Sequence, residues 1–274
     1  MKVAYQGISG AYSEAAIYRH YGKNAEAIGC ETFDDVFEAV KNGKVDYGFL
    51  PFENSIAGSI AENYDLLLKE DVFVVAEVFL KISHSLLSHK GNKLESIKKA
   101  YSHPHALHQC RDFLKKHGIK AIPDYDTAGS AKIVKERNKM DEAAIASDLC
   151  AEIYSLEIIK KNIGSSENNT TRFLAFVKKD KVPKGIKKEK ISIAFKTKHY
   201  PGALVNCLQR LAKNSINLTK LESRPVPENP WEYVFYVDFD GSIDDKNIKL
   251  ALSEMEASST FIKVLGSYPK GDKG

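Results

Sequence analysis

N-N-T-T-R-F-L-A-F, residues Asn168 to Phe176, is the stretch on which the reading of this chain turns. Asn169, Thr171 and Arg172 sit directly against the apolar run Phe173-Leu174-Ala175-Phe176. That make-up predicts a strand entering a core, with a hydroxyl and a guanidinium at its mouth where a ligand is met. Taken alone, Thr171 and Arg172 read better as the solvated start of an ordinary strand. The rest of the chain changes that balance.

Upstream, strand-like and helix-like segments alternate. Lys2 to Tyr5 predicts a first strand. Gly7-Ile8-Ser9-Gly10-Ala11-Tyr12-Ser13 follows, then a helix with Ser13 as candidate N-cap. Small residues between strand and helix let an anion approach backbone N–H groups, although the spacing is not G-x-G-x-x-G and a plain loop fits as well. Ala25 to Cys30 reads as a strand, and Phe33, Val36, Phe37 and Val40 have helical spacing. Asp46 to Phe52 runs as a strand into the polar turn Glu53-Asn54-Ser55, and Val72 to Leu80 is a long strand. The plan then repeats. Ala100-Tyr101 precedes Ser102-His103-Pro104, a helix start with proline at an early position. Ile119 to Tyr125 is a strand, Thr127 is the expected cap of a helix from Ala128 to Arg137, and Ala143 to Ser147 is another strand.

This alternation predicts α/β architecture in two lobes with largely parallel sheets, whose ligands bind beyond the strand carboxyl ends. Ser13, Asn54, Ser55, Ser102, Thr127 and Thr171 all fall at such ends. A cleft lined by hydroxyls, amides and helix N-termini suits a small carboxylate-bearing molecule.

Lys178 to Lys190 has a different texture, with seven lysines, two acids, Pro183 and Gly185, and reads as a solvated linker. Beyond it, a strand at Ile191 to Thr197 leads to Pro201-Gly202 and a helix with Leu204, Cys207, Leu208 and Leu211 on one face. Strands at Asn217 to Val226 and Glu232 to Phe239 precede a helix carrying Ile248, Ala251, Leu252 and Met255, and Phe261 to Ser267 closes. The order βαββαβ is the ferredoxin-like plan.

Bulk properties narrow the function classes. A hydrophobic share of 43%, a charged share of 28% and a net charge of +4 describe an ordinary globular protein with no basic stripe for nucleic acid. Cys30, Cys110, Cys150 and Cys207 are scattered without a C-x-x-C, which fits thiols in a reducing cytoplasm. His103, His105 and His108 are not spaced to share one helix face, so no metal centre is expected. No targeting signal and no membrane span are read from the sequence, and the expected location is the cytoplasm.

Together the motifs resemble prephenate dehydratase carrying a C-terminal ACT regulatory domain. The matching pieces are G-I-S-G-A-Y-S-E-A-A (7–16), P-F-E-N-S-I-A-G-S (51–59), S-H-P-H-A-L-H-Q-C (102–110), T-A-G-S-A (127–131) and N-T-T-R-F (169–173). Their order and spacing cover nearly the whole chain. There are departures: the first motif commonly has proline where Ile8 stands and threonine-phenylalanine where Ala11-Tyr12 stand. The third commonly has glutamine where His105 stands, so His105 inherits no family role while Gln109 does.

The resemblance implies a catalytic domain over 1–180 with two lobes like type II periplasmic binding proteins, roughly 1–78 with 158–180, and 79–157. A linker at 181–190 and an ACT domain at 191–274 would follow. It implies conversion of prephenate to phenylpyruvate, water and carbon dioxide without a cofactor, with arogenate as the alternative substrate. A non-catalytic carboxylate sensor is the other alternative. Thr171 is the implied proton donor, and Asn54, Ser102 and Gln109 match positions around the substrate. Phe173 would form an apolar wall. Arg172 would pair with a substrate carboxylate or make a structural ion pair, and Glu53 would relay protons or face water. Gly202, Ala203 and Leu204, with Glu222, Ser223, Arg224 and Pro225, resemble the segments of an L-phenylalanine pocket shared by two subunits of a homodimer or homotetramer. Without that resemblance, Arg224 would be read as pairing with Glu222.

Overall fold

The computed structural model describes residues 1–166, 168–226 and 229–272, with backbone alone at 229–231. Two compact units account for them: one built from 1–60 and 78–173, the other from 61–77 and 174–272.

The first unit contains two lobes. In one, Lys2–Gln6 pairs in parallel with Glu26–Cys30 and with Tyr47–Asn54. The mouth of strand Thr170–Lys178 lies beside Tyr47–Asn54. Helix Phe33–Lys41 buries Val36, Phe37 and Val40, as the spacing predicts. Its start is fixed by a capping box in which Thr32 Oγ1 accepts the Asp35 N–H and the Asp35 carboxylate accepts the Thr32 N–H. Strand Tyr47–Asn54 turns back antiparallel onto Gly58–Ser59, so Glu53 and Asn54 end the strand itself.

The other lobe is a five-stranded sheet in the order Glu157–Lys160, Ser85–Ser88, Glu142–Ala146, Lys99–Ser102, Lys120–Pro123. The last three strands pair in parallel, and Glu157–Lys160 runs in the same direction; Ser85–Ser88 runs antiparallel to both its neighbours. The sheet is largely parallel as expected, apart from the reversed strand Ser85–Ser88. Leu107, Cys110 and Leu114 pack with Leu86, Ala143 and Ile145 on one face. Ala128, Ala131 and Val134 pack with Leu87, Ala144 and Cys150 on the other.

Two expected caps shift by one or two residues. Ala11, not Ser13, stands at the N-cap of helix Tyr12–Tyr21 without a side-chain cap, and the Glu14 carboxylate accepts the Gly10 N–H of the preceding loop at 2.6 Å. Asp126, not Thr127, caps helix Thr127–Arg137, its carboxylate accepting the Gly129 N–H at 2.6 Å. At the second helix a carboxylate takes the orphan donor that a hydroxyl was expected to take.

The second unit carries the ferredoxin-like module. Its antiparallel sheet runs Leu218–Val226, Asn229–Asp240, Lys190–Thr197, Ser259–Tyr268, and helices Ala203–Lys213 and Lys246–Ser258 cover it. Ile193, Phe195, Cys207, Leu211, Val237 and Met255 fill the core between them. Segment 61–77 is part of this unit. Gly266 pairs in parallel with Val74. Lys263 Nζ donates to the carbonyls of Leu68 and Glu70 at 2.8 Å, so its ammonium caps the end of helix Ala61–Lys69. Lys190, expected in a solvated linker, is instead buried in its strand and ion-paired with Glu77 at 2.8 Å. The chain is exposed or half-exposed from 178 through 189. Among the described residues no helix is long and apolar enough to cross a membrane.

Candidate active site

A cavity of about 400 Å³ opens between the two lobes of the first unit. Phe173, Pro51, Ala57, Ile60, Ile82 and Ala106 give it apolar walls, and Ser13, Asn54, Gln109, Thr127, Asn169 and Thr171 are among its polar groups. Phe173 is held by stacking on Phe49, with ring centres 5.3 Å apart. A hydrophobic pocket with a few convergent polar groups is the usual form of a small-molecule site.

The polar groups form a directed row. Asn54 Oδ1 accepts the backbone N–H groups of Ile56 and Ala57, at 3.0 and 2.9 Å. Its amide nitrogen is thereby aimed at Asn169 Oδ1, at 2.7 Å, and at Thr171 Oγ1, at 2.9 Å. Asn169 in turn donates to Gln109 Oε1 at 2.8 Å. Thr171 Oγ1 accepts from Asn54, which leaves its own hydrogen for the cavity. Gln109 has its carbonyl oxygen engaged, which leaves its N–H groups for the cavity. What this wall offers a ligand is donors, the right polarity for carboxylate or departing hydroxyl oxygen.

The loop before helix Tyr12–Tyr21 holds the lobes together across the cavity. Ser147 Oγ donates to the Gly10 carbonyl at 2.7 Å, and the Tyr154 hydroxyl donates to the Ser9 carbonyl at 2.7 Å. A side chain at Gly10 would place its Cβ 2.5 Å from Cys150 Sγ, so only glycine permits this approach. Burial pushes the Cys150 thiol up to about 11, with Ser147 hydrogen bonds opposing the shift. Tyr12 reaches further: its hydroxyl is 2.8 Å from both the Ser83 carbonyl oxygen and His84 Nδ1. His84 lines the cavity, and burial lowers its pKa against the opposing hydrogen bond with Gln109. His103 and His105 also line it, stacked 5.4 Å apart. His103 is lowered by burial and by His105, with Asp126 opposing. Among the described residues no three His, Cys, Asp or Glu side chains converge on a point where a metal would sit.

Of the residues read from the sequence, the cavity gathers Ser13, Asn54, Gln109, Thr127, Thr171 and Phe173. Ser102 is not on its wall. It is fully buried, its hydroxyl donating to the Ile145 carbonyl at 2.6 Å within the sheet. Arg172 is not among the residues lining the cavity and lies 3.8 Å from Glu53. Ser55 ties two strand ends together, donating to the Asn168 carbonyl and accepting the Thr170 N–H. Tyr12, His84, Asp126 and Asn169 were not read as site residues. Asn169 stood inside the deciding stretch, whereas nothing around His84 in sequence marks it.

In the second unit, Gly202 is the N-cap of helix Ala203–Lys213 at φ 87°, with nothing near the position a Cβ would take. Ala203 is buried and Leu204 packs on the module core. Arg224 pairs with Asp65 at 2.7 Å, not with Glu222, which lies 3.5 Å from Lys220. Ser223 and Pro225 are exposed on the same strand.

Comparison with known proteins agrees with this geometry. The family model described as prephenate dehydratase matches residues 3–181. Arogenate dehydratase/prephenate dehydratase 2, chloroplastic, of Arabidopsis thaliana is 44% identical over 278 residues, covering 98% of this chain and 73% of that protein. Among solved structures, GqqA, described as a novel type of quorum quenching acylase, gives a TM-score of 0.91 at 31% identity over 98% of both chains. Prephenate dehydratase of Arthrobacter aurescens in complex with L-Phe gives a TM-score of 0.89 at 28% identity, over 100% of this chain and 91% of that one. The family match runs through both strands that meet at Asn54 and Thr171, and the chain belongs to the prephenate dehydratase family of hydro-lyases.

Proposed function

We propose that this chain converts prephenate to phenylpyruvate, water and carbon dioxide. The observation that carries the reading is the donor row facing an apolar cavity, with Thr171 as the hydroxyl of that row. In the reaction the bond to the ring carboxylate breaks, its electron pair enters the ring, and hydroxide leaves from the opposite ring carbon. Aromatisation drives the step, so the protein has to position the dianion and protonate or hydrogen-bond the departing oxygen. Thr171 donates to that oxygen, Gln109 donates to a carboxylate, and Phe173 lies along the ring. The departing carboxylate is best left on the apolar side, where neutral carbon dioxide is favoured over the anion.

Arogenate differs from prephenate only in its side chain, and the plant relative's name carries both substrates. Parallel assays of the purified protein with each substrate, following phenylpyruvate and phenylalanine, separate them. One route to the acylase activity named among the structural relatives is attack by a hydroxyl or thiol activated by a base. Thr171 Oγ1 receives an N–H from Asn54, which is the opposite arrangement.

The module supports a second part of the proposal: L-phenylalanine binds near Gly202 and regulates the cleft by favouring one arrangement of the lobes, in a homo-oligomer. The support is the open, positive-φ helix start at Gly202, whose backbone N–H groups suit a carboxylate, and the L-Phe complex of the Arthrobacter relative. Linkage then requires substrate to change phenylalanine affinity reciprocally, by about 1–3 kcal/mol for a useful effector. Titrating phenylalanine during turnover, with light scattering for the assembly, tests both statements.

A further inference from the structure

The hydrogen-bonded row has one end that cannot reverse. Backbone N–H groups only donate, so Ile56 and Ala57 fix the oxygen of Asn54. That fixes the Asn169 oxygen toward Asn54, its nitrogen toward Gln109, and the Gln109 oxygen toward Asn169. The same Gln109 oxygen lies 2.7 Å from His84 Nε2, so that nitrogen must carry a hydrogen. We infer that His84, held as the Nε2–H tautomer, is a positioning residue that keeps the Gln109 N–H groups turned toward the ligand. The inference rests on the dehydratase reading of this cavity.

The opposite face of the ring agrees. With Nε2 protonated, neutral His84 presents a lone pair at Nδ1, and the single hydrogen of the Tyr12 hydroxyl is shared between that lone pair and the Ser83 carbonyl oxygen, each 2.8 Å away. Burial in the cavity wall favours the neutral ring. Were Gln109 to flip, its carbonyl oxygen would face the substrate carboxylate and its N–H groups would oppose those of His84 and Asn169. His84 thus excludes the amide orientation that repels the ligand, without touching the ligand's reacting bonds.

Two isosteres separate this role from mere packing. Glutamine places an N–H near the Nε2 position, whereas asparagine reaches only the Nδ1 position. His84→Gln should therefore keep most of kcat, while His84→Asn and His84→Ala lose about tenfold to a hundredfold, the scale of a misplaced catalytic group. KM should move less than kcat in all three. Equal losses in the glutamine and asparagine variants, or full turnover by folded His84→Ala, overturn the inference. The ring can also be examined without turnover, by nitrogen-15 spectra of the wild-type protein with the His84 signal assigned by its loss in His84→Gln. A neutral ring protonated at Nε2 near neutral pH supports the inference, and protonation at Nδ1 or at both nitrogens overturns it. If wild-type protein turns over neither prephenate nor arogenate, the dehydratase reading fails while the spectra still decide the tautomer.

Discussion

Asn54 Nδ2 stands 2.9 Å from Thr171 Oγ1 and donates to it, leaving the threonine hydrogen to point into the cavity. Thr171→Ala should lower kcat by about 10²- to 10⁴-fold, the usual scale for a proton-transfer group, with a much smaller change in KM. Thr171→Ser should keep part of the rate. Asn54→Asp replaces the donor by an acceptor, draws the threonine hydrogen back, and should lose kcat in the same way. Normal turnover by folded Thr171→Ala would remove Thr171 from the chemistry.

Lys190 and Glu77 form a buried pair at 2.8 Å, with side-chain exposures of 8% and 2%. Lys190→Met strands a buried carboxylate and should cost about 3–5 kcal/mol in urea unfolding. The double change Lys190→Met with Glu77→Gln should recover much of that loss. A double variant as unstable as the single one would show that the lysine acts through packing alone.

His20, His84 and His103 are all lowered by burial, His103 also by His105 and against Asp126. As pH falls through about 6.5, the unfolded chain takes up protons at these rings before the folded chain does. Stability should therefore fall as pH drops below that point, with a shallower decline of Tm in His84→Gln. An unchanged slope in that variant would contradict a neutral buried ring. On the alkaline side, burial raises Cys150 to about 11 and Cys110 to about 12. Those thiols stay protonated when folded while unfolded ones ionise from about 8.5, so stability should fall again as pH rises.

Gly202 bears φ 87° with open space around it, so Gly202→Ala introduces backbone strain without a clash inside the chain. The added methyl occupies space at the proposed effector site. Turnover without phenylalanine should be unchanged, while the phenylalanine concentration for half response should rise about tenfold or more, the loss of about 1.4 kcal/mol of binding. An unaltered response would place the effector elsewhere.

Periodicity made the strands, helices and ferredoxin-like order legible, because buried faces leave a repeating trace. It also placed Asn54 at the carboxyl end of its strand, whereas Thr171, expected at such an end, stands second in Thr170–Lys178, at the amino end. Direction and partner were harder. Ser102 lies at a strand end like the others, yet its hydroxyl is turned into the sheet toward Ile145. Asp126 took the cap expected of Thr127 because a neighbouring carboxylate binds the same N–H groups better. Arg224 found Asp65 at a sequence separation of 159, and no local pattern announces such a pair. His84 was invisible for the same reason: its meaning comes only from the amide it meets.

The ammonium of Lys263 on the carbonyls of Leu67, Leu68 and Glu70, with Arg224 on Asp65, sets a condition on how such a chain can be cut or recombined. A fragment ending at Lys181 keeps helix Ala61–Lys69 but loses the cation at its end and the partner of Asp65. A module from elsewhere, spliced on at the same point, would have to bring residues that answer those of 61–77. Inheritance of the C-terminal module is thereby tied to a short segment far upstream, and the pair must change in step.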